Sequence, residues 1–138
     1  ASLRRGAPLG TWSARVAEQA LSFALANRVD RGRERPSLAE LDRRARRNAV
    51  AQRAAWQAVR PLAAGLVLGG WPVHARADVA TESGARMLGA WLGGRVADAI
   101  ESERVGPREL RRWLLRPRQS ETEARRLLVE IGRHAFGR

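Results

Sequence analysis

Residues 85–100, ARMLGAWLGGRVADAI, predict a closely packed helix at the centre of the fold. Small residues recur there at every fourth position: Ala85, Gly89, Gly93 and Ala97. Apolar residues recur beside them: Leu88, Leu92, Val96 and Ile100. Each glycine inside a helix costs about 0.5–1 kcal/mol relative to alanine. We therefore expect another backbone to approach this helix closely, from either residues 62–70 or a second copy of the chain.

The rest of the chain also has helical periodicity, and no segment alternates apolar and polar residues as a strand would. Helices are predicted over residues 12–27, 38–60 and 108–116, with a terminal helix after Ser120. Pro61 is expected to end or kink the second of these. The sequence predicts an all-α, compact bundle of five or six helices with a Gly/Ala-rich, close-packed central helix pair.

Hydroxyl residues mark the predicted helix starts. Thr11 is expected to cap the first helix. Ser37 with Glu40, and Ser120 with Glu123, have the spacing of capping boxes. Apolar spacing assigns the inward faces of the later helices: Leu38, Leu41, Ala45, Ala49, Trp56 and Val59; Leu110, Trp113 and Leu114; and Ala124, Leu127, Leu128, Ile131 and Ala135.

The length of 138 residues predicts one domain, residues 1–138. Residues 1–10 are expected to form a flexible N-terminal segment and residues 28–36 a charged connecting loop. No stretch reaches the roughly 18 apolar residues of a transmembrane helix. We expect a cytoplasmic protein, with an organelle or a virion as alternatives.

The charge of the chain comes from 26 arginines and no lysine, for a net +12. A GC-rich genome explains arginine in place of lysine, but it explains the excess over acidic residues less well. Basic regions before residue 61 and after residue 106 flank a nearly neutral middle. Cationic faces of this kind favour a polyanionic partner.

The first candidate site is an arginine cluster on the predicted helix 38–60. Its members are Arg43, Arg44, Arg46, Arg47 and Arg53. A phosphate backbone would relieve the repulsion among these cations and release bound salt. An acidic protein surface, or simply a solvated helix face, is the alternative. Membrane attachment is not expected, because the apolar face of this helix is mostly alanine.

The second candidate site surrounds Trp113 and the turn after it. Its members are Arg108, Arg111, Arg112, Arg116 and Arg118. A short helix, a turn and a longer helix have the outline of a helix-turn-helix. Glu121 and Glu123 would face bases and phosphates, which argues against major-groove reading, so backbone contact is the favoured interpretation.

Catalysis has no support in the sequence. There is no cysteine, and His74 and His134 have no metal-ligand spacing. No nucleophile motif or phosphate-binding loop is present. We predict a non-catalytic protein without metal or cofactor that binds nucleic acid or a nucleoprotein assembly through the phosphate backbone. The alternative is an adaptor subunit of a larger complex or a homo-oligomer, which docks acidic partners and packs through its small-residue face.

Overall fold

The computed structural model describes residues 9–27, 37–70 and 82–136, and these form six α-helices. The helices are α1 Leu9–Asn27, α2 Leu38–Arg47, α3 Val50–Val67, α4 Glu82–Glu101, α5 Pro107–Leu115 and α6 Glu121–Ala135. The predicted all-α fold is confirmed for this part of the chain. The proposed loop 28–36, the histidine at 74 and most of the N-terminal segment lie outside the described residues.

The core is centred on α4, which packs against α1, α3 and α6. Leu88, Leu92 and Val96 of α4 are fully buried, as are Trp12 of α1 and Leu127 of α6. The helix α1 also packs on α6, while α2 lies against α3 at the edge of the bundle. The core thus lies mainly among α1, α3, α4 and α6, and the basic helices α2 and α5 add Ala45, Leu110 and Trp113 to it.

The glycines of α4 are covered by α1 of the same chain. A Cβ atom at Gly93 would lie 2.6 Å from the carbonyl oxygen of Ala20 and 2.7 Å from Cβ of Phe23. A Cβ at Gly89 would collide with Cβ of Gln19. The close approach expected from the small-residue stripe is thus made to α1, and not to residues 62–70 or to a second copy.

The prediction of one continuous helix over residues 38–60 is wrong, because the helix is interrupted between Arg47 and Val50 and forms α2 and α3 instead. Asn48 and Ala49 have extended ψ values of 174° and 151°. The indole Nε1 of Trp56 donates to Oδ1 of Asp42 at 2.9 Å, which holds α2 back against α3. Ala49 is exposed rather than inward.

Pro61 lies inside α3 and does not end it. Proline removes one backbone hydrogen bond from a helix, which is unfavourable. The residues that follow, Leu62, Ala63 and Leu66, are all buried in the core. Their burial outweighs the lost hydrogen bond, so α3 continues to Val67.

Two further sequence expectations are corrected. The helix α1 begins at Leu9, so Thr11 lies within it and residues 9–10 are helical. The apolar spacing predicts that Leu114 points inward, but it is 40% exposed, and only Leu110 and Trp113 of α5 are buried.

The start and the inner face of α6 are confirmed. Ser120 Oγ accepts from the backbone N–H of Glu123 at 3.1 Å, and Glu123 Oε1 accepts from the Ser120 N–H at 3.2 Å. The predicted inner-face residues of α6 are all buried. At α2, Ser37 Oγ accepts from the Glu40 N–H at 3.1 Å.

Candidate anion-binding surfaces

Two of the five arginines of the first cluster form ion pairs with Glu40, which lies on the same helix. Arg43 Nη2 lies 2.6 Å from Oε2 of Glu40, and Arg44 Nε lies 3.3 Å from Oε1. The hydrogen bond from Arg43, followed by the charges of both arginines, lowers the pKa of Glu40 despite its partial desolvation. Arg43 and Arg44 are therefore partly neutralised on the helix itself.

Arg46 and Arg47 at the end of α2 are the exposed cations of this cluster that Glu40 does not contact. Within the described ranges neither pairs with a carboxylate. Arg53 of α3 contacts the end of α2, where its Nη1 donates to the carbonyl oxygen of Arg46 at 3.5 Å. Cations at a helix C-terminus also interact favourably with the negative end of the helix dipole. We call Arg46, Arg47 and Arg53 the α2 surface.

The second cluster is organised by Glu130 of α6. Arg112 Nη2 lies 2.7 Å from Oε2 of Glu130, and Arg116 Nη1 lies 2.6 Å from Oε1. The indole Nε1 of the buried Trp113 also donates to Oε2. Burial alone would raise the pKa of Glu130, but the hydrogen bonds from Trp113 and Arg116 and the neighbouring positive charges lower it. We call these four residues the Glu130 cluster, and it fastens α5 to α6.

Arg118 closes the C-terminal end of α5. Its Nη1 donates to the carbonyl oxygens of Trp113 at 3.2 Å and Arg116 at 3.2 Å. Its Nε lies 3.7 Å from Oε1 of Glu18 on α1. Three members of the predicted site, Arg112, Arg116 and Arg118, thus make structural contacts.

Arg108 and Arg111 are the exposed members of the second cluster that Glu130 does not contact. Among the residues that the structure describes, neither has a carboxylate partner. Both lie on the outer side of α5, beside Leu115, which is 74% exposed. We call Arg108 and Arg111 the α5 surface.

The sequence reasoning missed a third basic feature, on the outer face of α6. Thr122, Arg126 and Arg133 are exposed there and Val129 is half-buried. All four border one shallow groove. The predicted inner face of α6 could have located them, because they lie on the opposite side of the helix at 100° per residue. We call these four residues the α6 strip.

The structure attaches the two predicted clusters to different parts of the fold. The helix α2 packs on α3, whereas α5 is held on α6 by the Glu130 cluster. The α5 surface and the α6 strip lie on elements joined by that cluster. The two predicted clusters thus lie on helices that are held by different neighbours.

An apolar cleft lies where α4 meets α5. Its volume is about 550 Å³, and its lining includes Ile100, Val105, Leu110 and Leu114. Arg111 is at its edge, and Glu103, whose φ of 63° is left-handed, also lines it. A mainly apolar cleft with charged edges suits an apolar side chain that carries a nearby anion.

In the described ranges no three His, Asp or Glu side chains are grouped closely enough to hold a metal ion. None of the helices described is both long and apolar enough to cross a membrane.

No family model, curated protein or solved structure matches this chain significantly. Its function therefore has to be inferred from the surface chemistry of its helices.

Proposed function

We propose that this protein binds nucleic acid, alone or within a nucleoprotein assembly, through arginine contacts to the phosphate backbone and without catalysis. One observation carries the proposal: Arg46, Arg47, Arg108 and Arg111 are exposed and, in the described part of the chain, have no carboxylate partner. The other arginines nearby share a carboxylate in pairs and are partly neutralised: Arg43 and Arg44 share Glu40, and Arg112 and Arg116 share Glu130. The unneutralised cations are confined to surfaces that a polyanion can reach.

Phosphate is the anion that suits these residues best. Arginine forms paired hydrogen bonds with phosphate oxygens and keeps its charge at any physiological pH. Neutralising several phosphates releases condensed counterions, which supplies affinity at low salt. A net charge of +12 adds long-range attraction to any polyanion.

The test is binding of the purified chain to labelled duplex and single-stranded oligonucleotides over a salt series. We expect the logarithm of the association constant for duplex to fall with log salt by about 0.9 for each phosphate contacted. A slope equivalent to roughly four phosphates would support phosphate contacts by both the α2 surface and the α5 surface. Absence of binding to either oligonucleotide at low salt would contradict the proposal.

Replacing Arg46 and Arg47 together by glutamine is expected to weaken duplex binding and to reduce the slope by about 0.9 for each phosphate that is no longer neutralised. The fold should be unaffected, because both side chains are exposed. The matched control is Arg86→Gln, set against Arg46→Gln alone, because it removes one exposed cation from α4 that likewise has no carboxylate partner among the described residues. Equal losses in the two variants would show that binding depends on net charge and not on the α2 surface.

A second candidate function is docking of an acidic protein segment, and the apolar cleft favours it. Leu114 and Leu115 are 40% and 74% exposed beside Arg108 and Arg111. A partner helix with leucine on one face and glutamate at its edges would bury the leucines and neutralise the arginines. The small-residue face cannot serve this role, because α1 covers Gly89 and Gly93.

The docking function is tested with a labelled amphipathic peptide of leucine and glutamate. Leu114→Ser with Leu115→Ser is expected to weaken capture of this peptide at least tenfold, because burial of a leucine side chain contributes about 1.5–3 kcal/mol. Duplex binding should stay at the wild-type level. If the peptide binds the variant as it binds the wild type, its contact is electrostatic only.

A further inference from the structure

Among the described residues, the α6 strip is the side of α6 that no other helix covers, and Thr122, Arg126 and Arg133 are exposed on it. The buried residues Ala124, Leu127, Leu128 and Ile131 form one side of α6. At 100° per residue, Thr122, Arg126, Val129 and Arg133 fall on the opposite side. The exposed arginines of the strip have no carboxylate partner within the described residues. The strip therefore offers a helical surface to a ligand along about three turns.

Each carboxylate of α6 has a hydrogen-bond or ion-pair partner, and two of them, Glu121 and Glu130, line the same groove as the strip. Glu123 accepts from the Ser120 N–H at 3.2 Å in the capping box. Glu121 Oε1 lies 2.6 Å from Nη2 of Arg125. Glu130 is held by Arg112, Arg116 and Trp113. The objection drawn from the sequence, that acidic residues would face the bases, is therefore removed for Glu121, whose charge is paired with Arg125, while Glu123 keeps its charge in the first turn of α6.

We infer that the α6 strip enters the major groove of B-form duplex DNA and selects base pairs there. This inference rests on the proposed nucleic-acid binding and names its substrate. The major groove is about 12 Å wide and admits one α-helix, whereas the major groove of A-form RNA is too narrow for side chains to read. The strip provides two arginines and two methyl-bearing residues, which suit guanine edges and thymine methyl groups.

The spacing of the two arginines sets the reading length. Seven residues of helix separate Arg126 from Arg133, a rise of about 10.5 Å. That rise corresponds to about three base-pair steps of 3.4 Å. A preferred site would accordingly carry guanines about three base pairs apart. Arg108 and Arg111, on the helix fastened to α6, would contact the flanking phosphates and fix the register.

The test is selection of duplexes from a random-sequence library by the wild-type chain, followed by affinity measurements on the enriched duplex and a shuffled one. Arg126→Ala and Arg133→Ala should each weaken binding to the enriched duplex on the order of 10- to 100-fold. Binding to the shuffled duplex should fall only a few-fold. Arg86→Ala, which removes one exposed cation from α4, is the matched control and should lower both affinities equally.

The variant Arg126→Lys separates charge from geometry. Lysine keeps the positive charge but cannot make the paired hydrogen bonds of a guanidinium to guanine. We expect it to keep shuffled-duplex affinity near the wild-type level and to lose most of the preference for the enriched duplex. Circular dichroism and thermal unfolding of each variant verify that the exposed substitutions leave the fold intact.

The outcomes distinguish this inference from the proposed function. Wild-type protein that binds duplexes but enriches no sequence would overturn the inference and leave backbone binding standing. The same holds if Arg126→Ala weakens both duplexes equally, or if A-form RNA of the enriched sequence binds as tightly as the DNA. A wild-type chain that binds no nucleic acid at low salt would overturn both.

Discussion

Replacing Gly93 by alanine is expected to destabilise the protein by about 1–3 kcal/mol, despite the higher helix propensity of alanine. The new Cβ would lie 2.6 Å from the carbonyl oxygen of Ala20 and 2.7 Å from Cβ of Phe23. The first of these is a backbone atom, so α1 and α4 must move apart to accommodate the methyl group. The loss should be visible as a lower urea midpoint with an unchanged denaturant slope.

Gly70→Ala is the control, because no neighbouring atom of the described residues lies within 4 Å of the Cβ it would introduce. We expect its stability to stay within about 0.5 kcal/mol of wild type, as for other surface substitutions. The destabilisation by Gly93→Ala should also be independent of protein concentration, since α1 belongs to the same chain. A stability loss that diminishes at high concentration would instead indicate that a second copy covers the stripe. An unchanged urea midpoint would contradict the close packing of α1 on α4.

The elements most predictable from the sequence are those whose causes are local. The Ser120–Glu123 capping box needs only residues three apart, and it is present as predicted. The inner face of α6 follows from apolar spacing, because burial on one side of a helix requires a 3.6-residue period. Neither the capping box nor the apolar face requires the neighbouring helices to be known.

The break between α2 and α3 depends on tertiary contacts and could not be predicted from periodicity. Ala45, Trp56 and Val59 have the spacing of one continuous face. Trp56 instead folds back to Asp42, fourteen residues earlier, and this contact decides the direction of α2. The glycine stripe is similarly incomplete as a signal, since it predicts a close approach but cannot identify α1 as the partner.

The arginine clusters show the same limit for the candidate sites. Nothing in residues 108–118 indicates that Arg112 and Arg116 will be bound by a carboxylate 18 and 14 residues away. Clustering along the sequence therefore overestimates the available charge on α5. The α6 strip was not predicted, because its two arginines are seven residues apart and do not form a cluster along the sequence.

The second large effect is expected at Glu130, where substitution by alanine should lower stability by about 1–3 kcal/mol at neutral pH. The buried indole N–H of Trp113 would lose its acceptor, and the guanidinium groups of Arg112 and Arg116 would lose their shared counter-charge. Urea unfolding measures the loss. Glu101→Ala, which removes an exposed carboxylate at the end of α4, is the charge-matched control and should change stability little.

The pH dependence of this effect has a definite sign. The pKa of Glu130 is lowered below its ordinary value of 4.5 in the folded protein. Its contribution is therefore fully present above the pKa of the unfolded chain and is lost as the pH falls through the folded value. The stability difference between wild type and Glu130→Ala should shrink as the pH falls below 4.5. A difference that stays constant over that range would show that the carboxylate charge does not fasten α5 to α6.

Glu130→Gln separates the structural role of this cluster from its role in binding. Glutamine keeps an acceptor for Trp113 but leaves Arg112 and Arg116 without a counter-charge. Stability should fall less than in the alanine variant, while duplex affinity at low salt should rise, because two guanidinium groups become available to phosphate. A lower stability together with a higher affinity would mean that Glu130 keeps Arg112 and Arg116 in a structural ion pair and so prevents them from binding nucleic acid. Parallel losses would mean instead that the position of α5 on α6 is itself needed for binding.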